Sequence, residues 1–181
     1  DLVDGCQVEH ADDWAAFGDA WSRRRDGDAV VVKFRDQVVN AVPYDMPIFG
    51  WGTHNVGNLR LWQAESLNPF DFSLFNQQRY DDAIREKNRA EDISRVLYPN
   101  DTTREGKILR LKQQYFFTCA SVTDILRSFK RRFGAEWEKL PEMVTIQLND
   151  THPVIAVPEL IRQLTDVEGL DFIAAFRIAQ R

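Results

Sequence analysis

Histidine, methionine and cysteine are scarce here: three His, two Met and two Cys among 181 residues. Cys6 and Cys119 make no paired spacing, which excludes a disulfide framework, a zinc ribbon and a Cys-x-x-Cys redox motif. No His, Cys and carboxylate cluster has metal-ligand spacing, and His10 and His54 have no obvious partners. There is no Gly-rich loop of the P-loop type and no Gly-x-Ser-x-Gly elbow. No apolar run approaches the ~18 residues of a membrane span. A basic surplus is missing too: 23 Lys and Arg face 28 Asp and Glu, a net charge of −5, which argues against a phosphate-backbone binder. Nothing at the N-terminus reads as a signal peptide, and the chain begins with Asp1, which leaves its true start open. A reduced, cytoplasm-like setting is the expectation.

What is present is an ordinary globular composition, 44% hydrophobic and 28% charged, at a length suited to one domain or a domain plus a piece. Aromatic residues crowd the stretch from Trp14 to Trp62, enough to build a core and to cover other surfaces. Residues 11–17 read as a short helix or turn, and Arg23-Arg24-Arg25 as a solvated loop. Residues 29–34 and 37–42 are β-branched and read as strands. Only Arg35 and Asp36 join them, without the Gly or Asn of a tight hairpin. Pro43 and Pro47 are expected to end the second strand, Gly50, Gly52 and Gly57 to form a flexible connection, and Asn58–Trp62 to make a third strand.

Helices dominate the remainder. Residues 77–97 carry a helical stripe at Tyr80, Ala83, Ile84, Ala90, Ile93 and Leu97 on a strongly charged segment, with Asp81 and Arg85 placed to pair. Its wide polar face suits an edge or projecting helix, stopped by Pro99. From Glu105 to Phe133 apolar residues recur in steps of three and four, with Cys119 on the stripe as a buried thiol and Gly134 as the cap. Val144, Ile146 and Leu148 alternate as a strand; a helix over about 155–164 and a final helix near 171–180 follow.

Two places combine polar side chains with backbone suited to a ligand. In an open α/β sheet, ligands lie beyond strand C-termini, near the helix that follows. Asn149-Asp150-Thr151-His152 sits at such a crossover, with Thr151 placed to cap the helix ahead of Pro153. Asp150 and His152 there suit sugar hydroxyls or an acid–base group; the plain alternative is capping plus a structural His. The second place is Tyr98-Pro-Asn-Asp101, where Asp101 or Thr102 is expected to cap the long helix. Neither motif alone names a reaction.

Together they carry a resemblance. Ala41–Pro47, Asn58-Leu-Arg-Leu-Trp62, Asn76–Tyr80, Ile93-Ser-Arg-Val-Leu-Tyr-Pro-Asn-Asp101, Glu105–Tyr115 and Ile146-Gln-Leu-Asn-Asp-Thr-His-Pro153 with Pro158-Glu-Leu160 follow the order found in glycogen and starch phosphorylases. The stretch from Cys6 to Trp21 is similar as well, so the resemblance covers nearly the whole chain.

The resemblance implies an α/β fold: part of the Rossmann-like N-terminal domain of a two-domain glycosyltransferase, with long helices and a projecting tower-like helix at about 79–97. It implies a gate loop at 98–104 and a site-lining strand–loop–helix at 143–165. It implies phosphorolysis of terminal α-1,4 bonds of glycogen, starch or maltodextrin by inorganic phosphate, releasing glucose 1-phosphate. Pyridoxal 5′-phosphate is the implied cofactor, its Lys in a C-terminal domain absent here, so the segment alone is expected to be inactive. Asn100, Asp101 and Thr102 are implied to lie over the substrate, Asp101 admitting or excluding phosphate by its charge; relatives often have Asn where Thr102 stands. Asp150 and His152 are implied site-lining residues, and Arg127 an effector-phosphate contact beside Ser128, where regulated relatives have a second Arg. A homodimer, a cytoplasmic or plastid location, no metal, and no nucleic-acid or membrane partner complete the expectation. The short link at 34–37 lacks a β-meander stretch that relatives carry, through either a true deletion or an omitted segment. Two rivals stand beside this reading: a truncated paralogue serving dimerisation, and a carbohydrate-binding domain using Trp51 and Trp62 as sugar platforms.

Overall fold

The computed structural model describes residues 2–7 and 22–181. The short helix or turn expected over residues 11–17 lies outside them. The chain divides into two compact units, residues 1–113 and 114–181.

In the first unit, β1 (Leu2–Val3) and β2 (Cys6–Gln7) form a small antiparallel pair around Asp4 and Gly5, both at positive φ. The main sheet comprises β3 (Arg23–Arg24), β4 (Val30–Lys33), β5 (Val38–Phe49) and β6 (Val56–Ser66). β5 is its spine, pairing antiparallel with each of the others. Val30, Val32, Val39, Ala41, Trp62 and Ala64 are buried, so the β-branched alternation does place one face in the core.

β5 does not end at its prolines. It runs through Pro43 and Pro47, paired with Trp62 and Asn58. The Pro43 carbonyl accepts the Arg25 N–H at 2.9 Å, so the Pro43 nitrogen also faces away from β6. Pro47, four residues on, shares that parity. The missing N–H groups therefore cost the β5–β6 ladder nothing. The Gly50–Gly57 connection is a hairpin tip, closed by Gly50 N–H on Asn55 C=O at 3.0 Å.

The β4–β5 link closes without glycine. Lys33 pairs with Val38, Phe34 N–H donates to Gln37 C=O at 2.8 Å, and neither Arg35 nor Asp36 takes a positive φ. The Asp36 carboxylate accepts from Lys112 Nζ at 2.7 Å and Arg89 Nη2 at 3.2 Å, which tethers the turn. The triple Arg is likewise no free loop. Arg24 clasps Glu65 with both terminal nitrogens and donates to Asp26 at 2.6 Å. Arg25 reaches Asp45, where Arg60 already holds both oxygens at 2.7 and 2.8 Å. Arg60, with help from Asn58 and Arg25, holds the Asp45 carboxyl down to about 2 against the opposing effect of burial.

Three helices follow the sheet: α1 (Phe72–Asn76), α2 (Tyr80–Ala83) and α3 (Arg85–Arg95). The single helix expected over 77–97 is thus parted at Ile84 (φ −111°, ψ 4°) and ends two residues early. Arg85 pairs with Asp82 rather than Asp81. α3 buries Ala90 and Ile93, and its Ser94 hydroxyl accepts the Ala64 N–H at 2.9 Å, covering a donor on the open edge of β6. Trp62 is 4% exposed, which removes it as a sugar platform, whereas Trp51 at the hairpin tip is fully exposed.

The expected long helix is α4 (Arg104–Phe133), whose last carbonyls are closed by Gly134 at φ 66° donating to Lys130 C=O at 2.9 Å. Its later part belongs to the second unit, with α5 (Leu140–Met143), α6 (Ala156–Arg162) and α7 (Phe172–Gln180). A 3-10 turn (His152–Ile155) leads into α6, which continues as a π-helical turn over Gln163–Val167. Val122, Leu126, Phe129, Trp137, Leu164 and Ile178 form this unit's core. Asp171 caps α7 by accepting from Ile173 and Ala174 N–H. The strand expected over Val144–Leu148 is absent. Val144 has extended dihedrals (φ −131°, ψ 129°), but no neighbouring strand lies beside the run among the described residues. Alternation supplies a face, not a partner. No helix among the described residues is long and apolar enough to cross a membrane.

Candidate functional site

The Tyr98–Thr103 loop joins α3 to α4, and both of its ends are fastened. Gln113, buried on α4, donates its amide to Ile93 C=O at 2.9 Å and Val96 C=O at 2.8 Å. These carbonyls would otherwise be orphaned where α3 stops. At the other end, Thr103 Oγ1 accepts the Gly106 N–H at 3.1 Å and caps α4. The cap therefore falls on Thr103, not on Asp101 or Thr102. Asn100 supplies a turn instead: its side-chain oxygen accepts both the Thr102 N–H at 2.9 Å and the Thr102 hydroxyl at 2.8 Å.

Gly106 makes this seat possible. A β-carbon there would overlap the Asn100 carbonyl oxygen and stand 3.1 Å from the Asp101 Cα. Tyr98 enters the loop at φ 54°, a conformation that a bulky side chain adopts only under constraint. Arg110, one turn along α4, lies over the Tyr98 ring (5.7 Å to the centroid) and 3.7 Å from Asp101 Oδ2. Asp101 remains half exposed, so its charge faces solvent with one cation beside it.

In the second unit, Asp150 sits at φ 68°, and its carboxylate accepts the Thr151 N–H at 2.5 Å. The Thr151 side chain makes no capping bond, contrary to its expected role. Pro153 has no N–H and the Val154 N–H donates to the Thr151 carbonyl at 3.2 Å, so the Thr151 hydroxyl has no donor to cap; Asp150 tolerates its positive φ because its short side chain bonds nearby backbone. His152 is half-buried and opens the 3-10 turn ahead of Pro153.

α6 and the turn after it carry a polar cluster around the buried Glu159 and Gln163. Arg162 forks onto Glu159 with two 2.8 Å bonds, and Gln163 Nε2 donates to Glu159 Oε1 at 2.7 Å and to Cys119 C=O at 3.3 Å. Burial raises the Glu159 carboxyl, but Arg162, Gln163 and Cys119 outweigh it and hold it below its ordinary value. Burial and the neighbouring Glu159 push the Cys119 thiol up to about 11. Burial also pushes Tyr115 up to about 12. Cys119 is thus a buried neutral thiol, as its place on the stripe predicts. Arg127 is exposed on α4, and Ser128 beside it accepts from Arg131 Nη2 at 3.0 Å.

The structure thus assembles Asn100, Asp101 and Thr102 with Arg110 in one unit, and Asp150 with His152 in the other. Sequence reasoning missed Thr103, Gly106, Arg110 and Gln113. The Gly at the third position of a helix behind Thr was a visible signal; the contacts of Arg110 and Gln113 were not.

Residues 1–181 match the family of carbohydrate phosphorylases. The chain belongs to that family. It is 43% identical over 201 residues to the brain form of glycogen phosphorylase from Mus musculus, covering 99% of this chain and 24% of that protein. The liver form from Homo sapiens is 42% identical with the same coverage. Glycogen phosphorylase from Saccharomyces cerevisiae is 43% identical over 200 residues, covering 22% of that protein. The chain spans about a quarter of the length of these relatives. Its phosphorylase-family segment holds both polar loops described above.

Proposed function

We propose that this segment serves an α-glucan phosphorylase, in which inorganic phosphate cleaves the terminal α-1,4 bond of a glucan such as glycogen. The C1–O4 bond breaks, C1 bonds a phosphate oxygen, and a proton passes to O4 of the shortened glucan. The observation that carries the reading is family-level identity over 99% of the chain, running through both polar loops.

In this reading residues 98–104 gate the site. Asp101 repels phosphate when the loop lies against Gly106, and Arg110 lessens that repulsion without abolishing it. The Thr102 hydroxyl donates to Asn100 in the seated loop, which leaves its lone pairs to accept from a sugar hydroxyl. Asp150 and His152 line the glucosyl pocket, held by the positive-φ turn rather than by a helix cap. Residues 79–97 correspond to the tower-like region at a homodimer interface, Arg127 to an effector-phosphate contact, and the segment to part of a Rossmann-like N-terminal domain in a cytoplasmic enzyme.

The implied pyridoxal phosphate does not fit the residues in hand. Lys87, Lys112, Lys130 and Lys139 lie in ion pairs, and Lys33 and Lys107 are exposed, so none stands in a pocket as a Schiff-base lysine. The proposal places the cofactor on residues outside 1–181, and the segment alone is inactive.

The test is steady-state phosphorolysis by the full-length polypeptide carrying Asp150→Asn or His152→Ala. Each variant should lose at least ten-fold in kcat/KM while melting like the parent. Parental kinetics in both would remove these residues from the site.

A further inference from the structure

We propose that Asp36 is a positioning residue for the Tyr98–Thr103 loop: from the β4–β5 turn its carboxylate holds Arg89 of α3 and Lys112 of α4 together, and so fixes the two helices between which the loop is strung. The clamp stands without the phosphorylase reading; only its effect on phosphate rests on that reading.

The carboxylate acts as a bridge. Asp36 Oδ2 accepts from Lys112 Nζ at 2.7 Å and from Arg89 Nη2 at 3.2 Å, so both cations meet one oxygen. Phe34, in the same turn, sets its ring centroid 5.4 Å from Lys112 Nζ and offers the ammonium a π face beside the charge. The Lys112 side chain is only 17% exposed, so solvent screens its contact less than an ordinary surface pair. Lys112 foremost, and Arg89 after it, hold the Asp36 carboxyl below its ordinary value. Arg89 also lies 3.6 Å from Glu86, its neighbour within α3.

The place where the bridge lands on α4 links it to the loop. Arg110, Lys112 and Gln113 occupy about one turn of that helix, with Arg110 and Lys112 roughly 3 Å apart along its axis. Arg110 meets Tyr98 and Asp101 in the loop, Lys112 meets the β4–β5 turn, and Gln113 meets the carbonyls at the end of α3. One rigid turn of helix therefore carries the loop contact and the Asp36 contact together.

Other ion pairs of α3 have a different reach. Glu91 pairs with Lys87 and Arg95, all within the one helix. Such pairs stiffen α3 without setting its distance from α4. An interaction alters a local opening only where the open form breaks it. The Glu91 pairs survive an opening that parts α3 from α4, whereas the Asp36 bridge does not.

Residue-resolved amide exchange on the native full-length polypeptide reads the loop through two donors, the Thr102 N–H on Asn100 and the Gly106 N–H on Thr103. Asp36→Asn should speed both by about three- to ten-fold, the range that two partly exposed ion pairs supply. Asp36→Glu, which keeps the charge, should exchange like the parent, and so should Glu91→Gln. Parental rates in Asp36→Asn overturn the proposal, as does equal acceleration in Glu91→Gln. Steady-state phosphorolysis by the same proteins gives the second readout. The KM for phosphate should fall about two-fold or more in Asp36→Asn, with kcat and the glucan KM parental, because Asp101 leaves its seat more often. Faster exchange with a parental phosphate KM keeps the clamp and removes the gate reading. Parental exchange in a protein that still phosphorolyses removes the clamp alone.

Discussion

Replacing Gly106 with alanine should impair the loop without unfolding the protein. The added β-carbon meets backbone atoms that no rotamer change can move: the Asn100 carbonyl oxygen, inside contact distance, the Asp101 Cα at 3.1 Å and the Asn100 carbonyl carbon at 3.2 Å. Restoring an ordinary carbon–oxygen separation of ~3.3 Å requires the loop to lift by roughly 1 Å. That shift loosens the Thr103 cap, a loss of about 1 kcal/mol. The same substitution gains about 1 kcal/mol of helix propensity near the start of α4. Stability should therefore change little, while Asp101 and Thr102 move relative to substrate. A 1 Å displacement in a positioned site costs about a hundred-fold in rate. The assay is initial-rate phosphorolysis by the full-length polypeptide over a range of phosphate concentrations, beside a urea melt. Gly134→Ala is the contrasting variant: its β-carbon meets nothing within 4 Å, but φ is 66°. It should lower stability by about 1 kcal/mol and leave the kinetics alone. Parental rates in Gly106→Ala would refute the reasoning, because they would mean that the seat of the loop does not govern the site.

Acid should weaken the main sheet through Asp45, whose carboxyl falls from the usual 3.8 to about 2, with a side chain only 11% exposed. A depressed carboxylate contributes stability fully present above its unfolded value and lost as pH falls through the folded one, here roughly 2 kcal/mol lost between about pH 4 and 2. Urea melts should show Asp45→Asn less stable than the parent at pH 6 and equal to it near pH 2; equal melts at pH 6 would contradict the network. Cys119, buried with its thiol at about 11, should resist a disulfide reagent at pH 8 in the native protein and react in urea, read by mass mapping of its peptide. Fast native labelling would show that the cluster opens.

Local patterns were legible wherever one element decides its own fate. α4 and its glycine stop follow from apolar spacing and Gly134, and β4 from its β-branched run. Errors arose where a second element supplies the deciding group. Pro43 and Pro47 punctuate an isolated strand, yet β5 tolerates both because their nitrogens face away from β6. The Arg35–Asp36 link lacks turn residues, yet Lys112 and Arg89 tether it from helices more than fifty positions away. Thr151 has the residue type of a cap, but Pro153 offers no N–H and the Val154 N–H donates to the Thr151 carbonyl instead.

The same distinction governs the candidate site. Asn100, Asp101, Thr102, Asp150 and His152 were found as motif residues, whereas the groups fastening the gate-like loop were not, because Gln113 and Arg110 read as ordinary positions on a helix. Their effect is visible only once α3 has ended and left carbonyls to be met. The loop is consequently held by three separate devices, a buried amide, a hydroxyl cap and a glycine that admits backbone contact. Removing any one should free a different part of it. Gln113 anchors the exit from α3, Thr103 the entry to α4, and Gly106 the position of Asp101 between them. Fastened at both ends and half exposed at its acidic tip, the loop presents the Asp101 charge to solvent, the arrangement that the proposed phosphate gate uses.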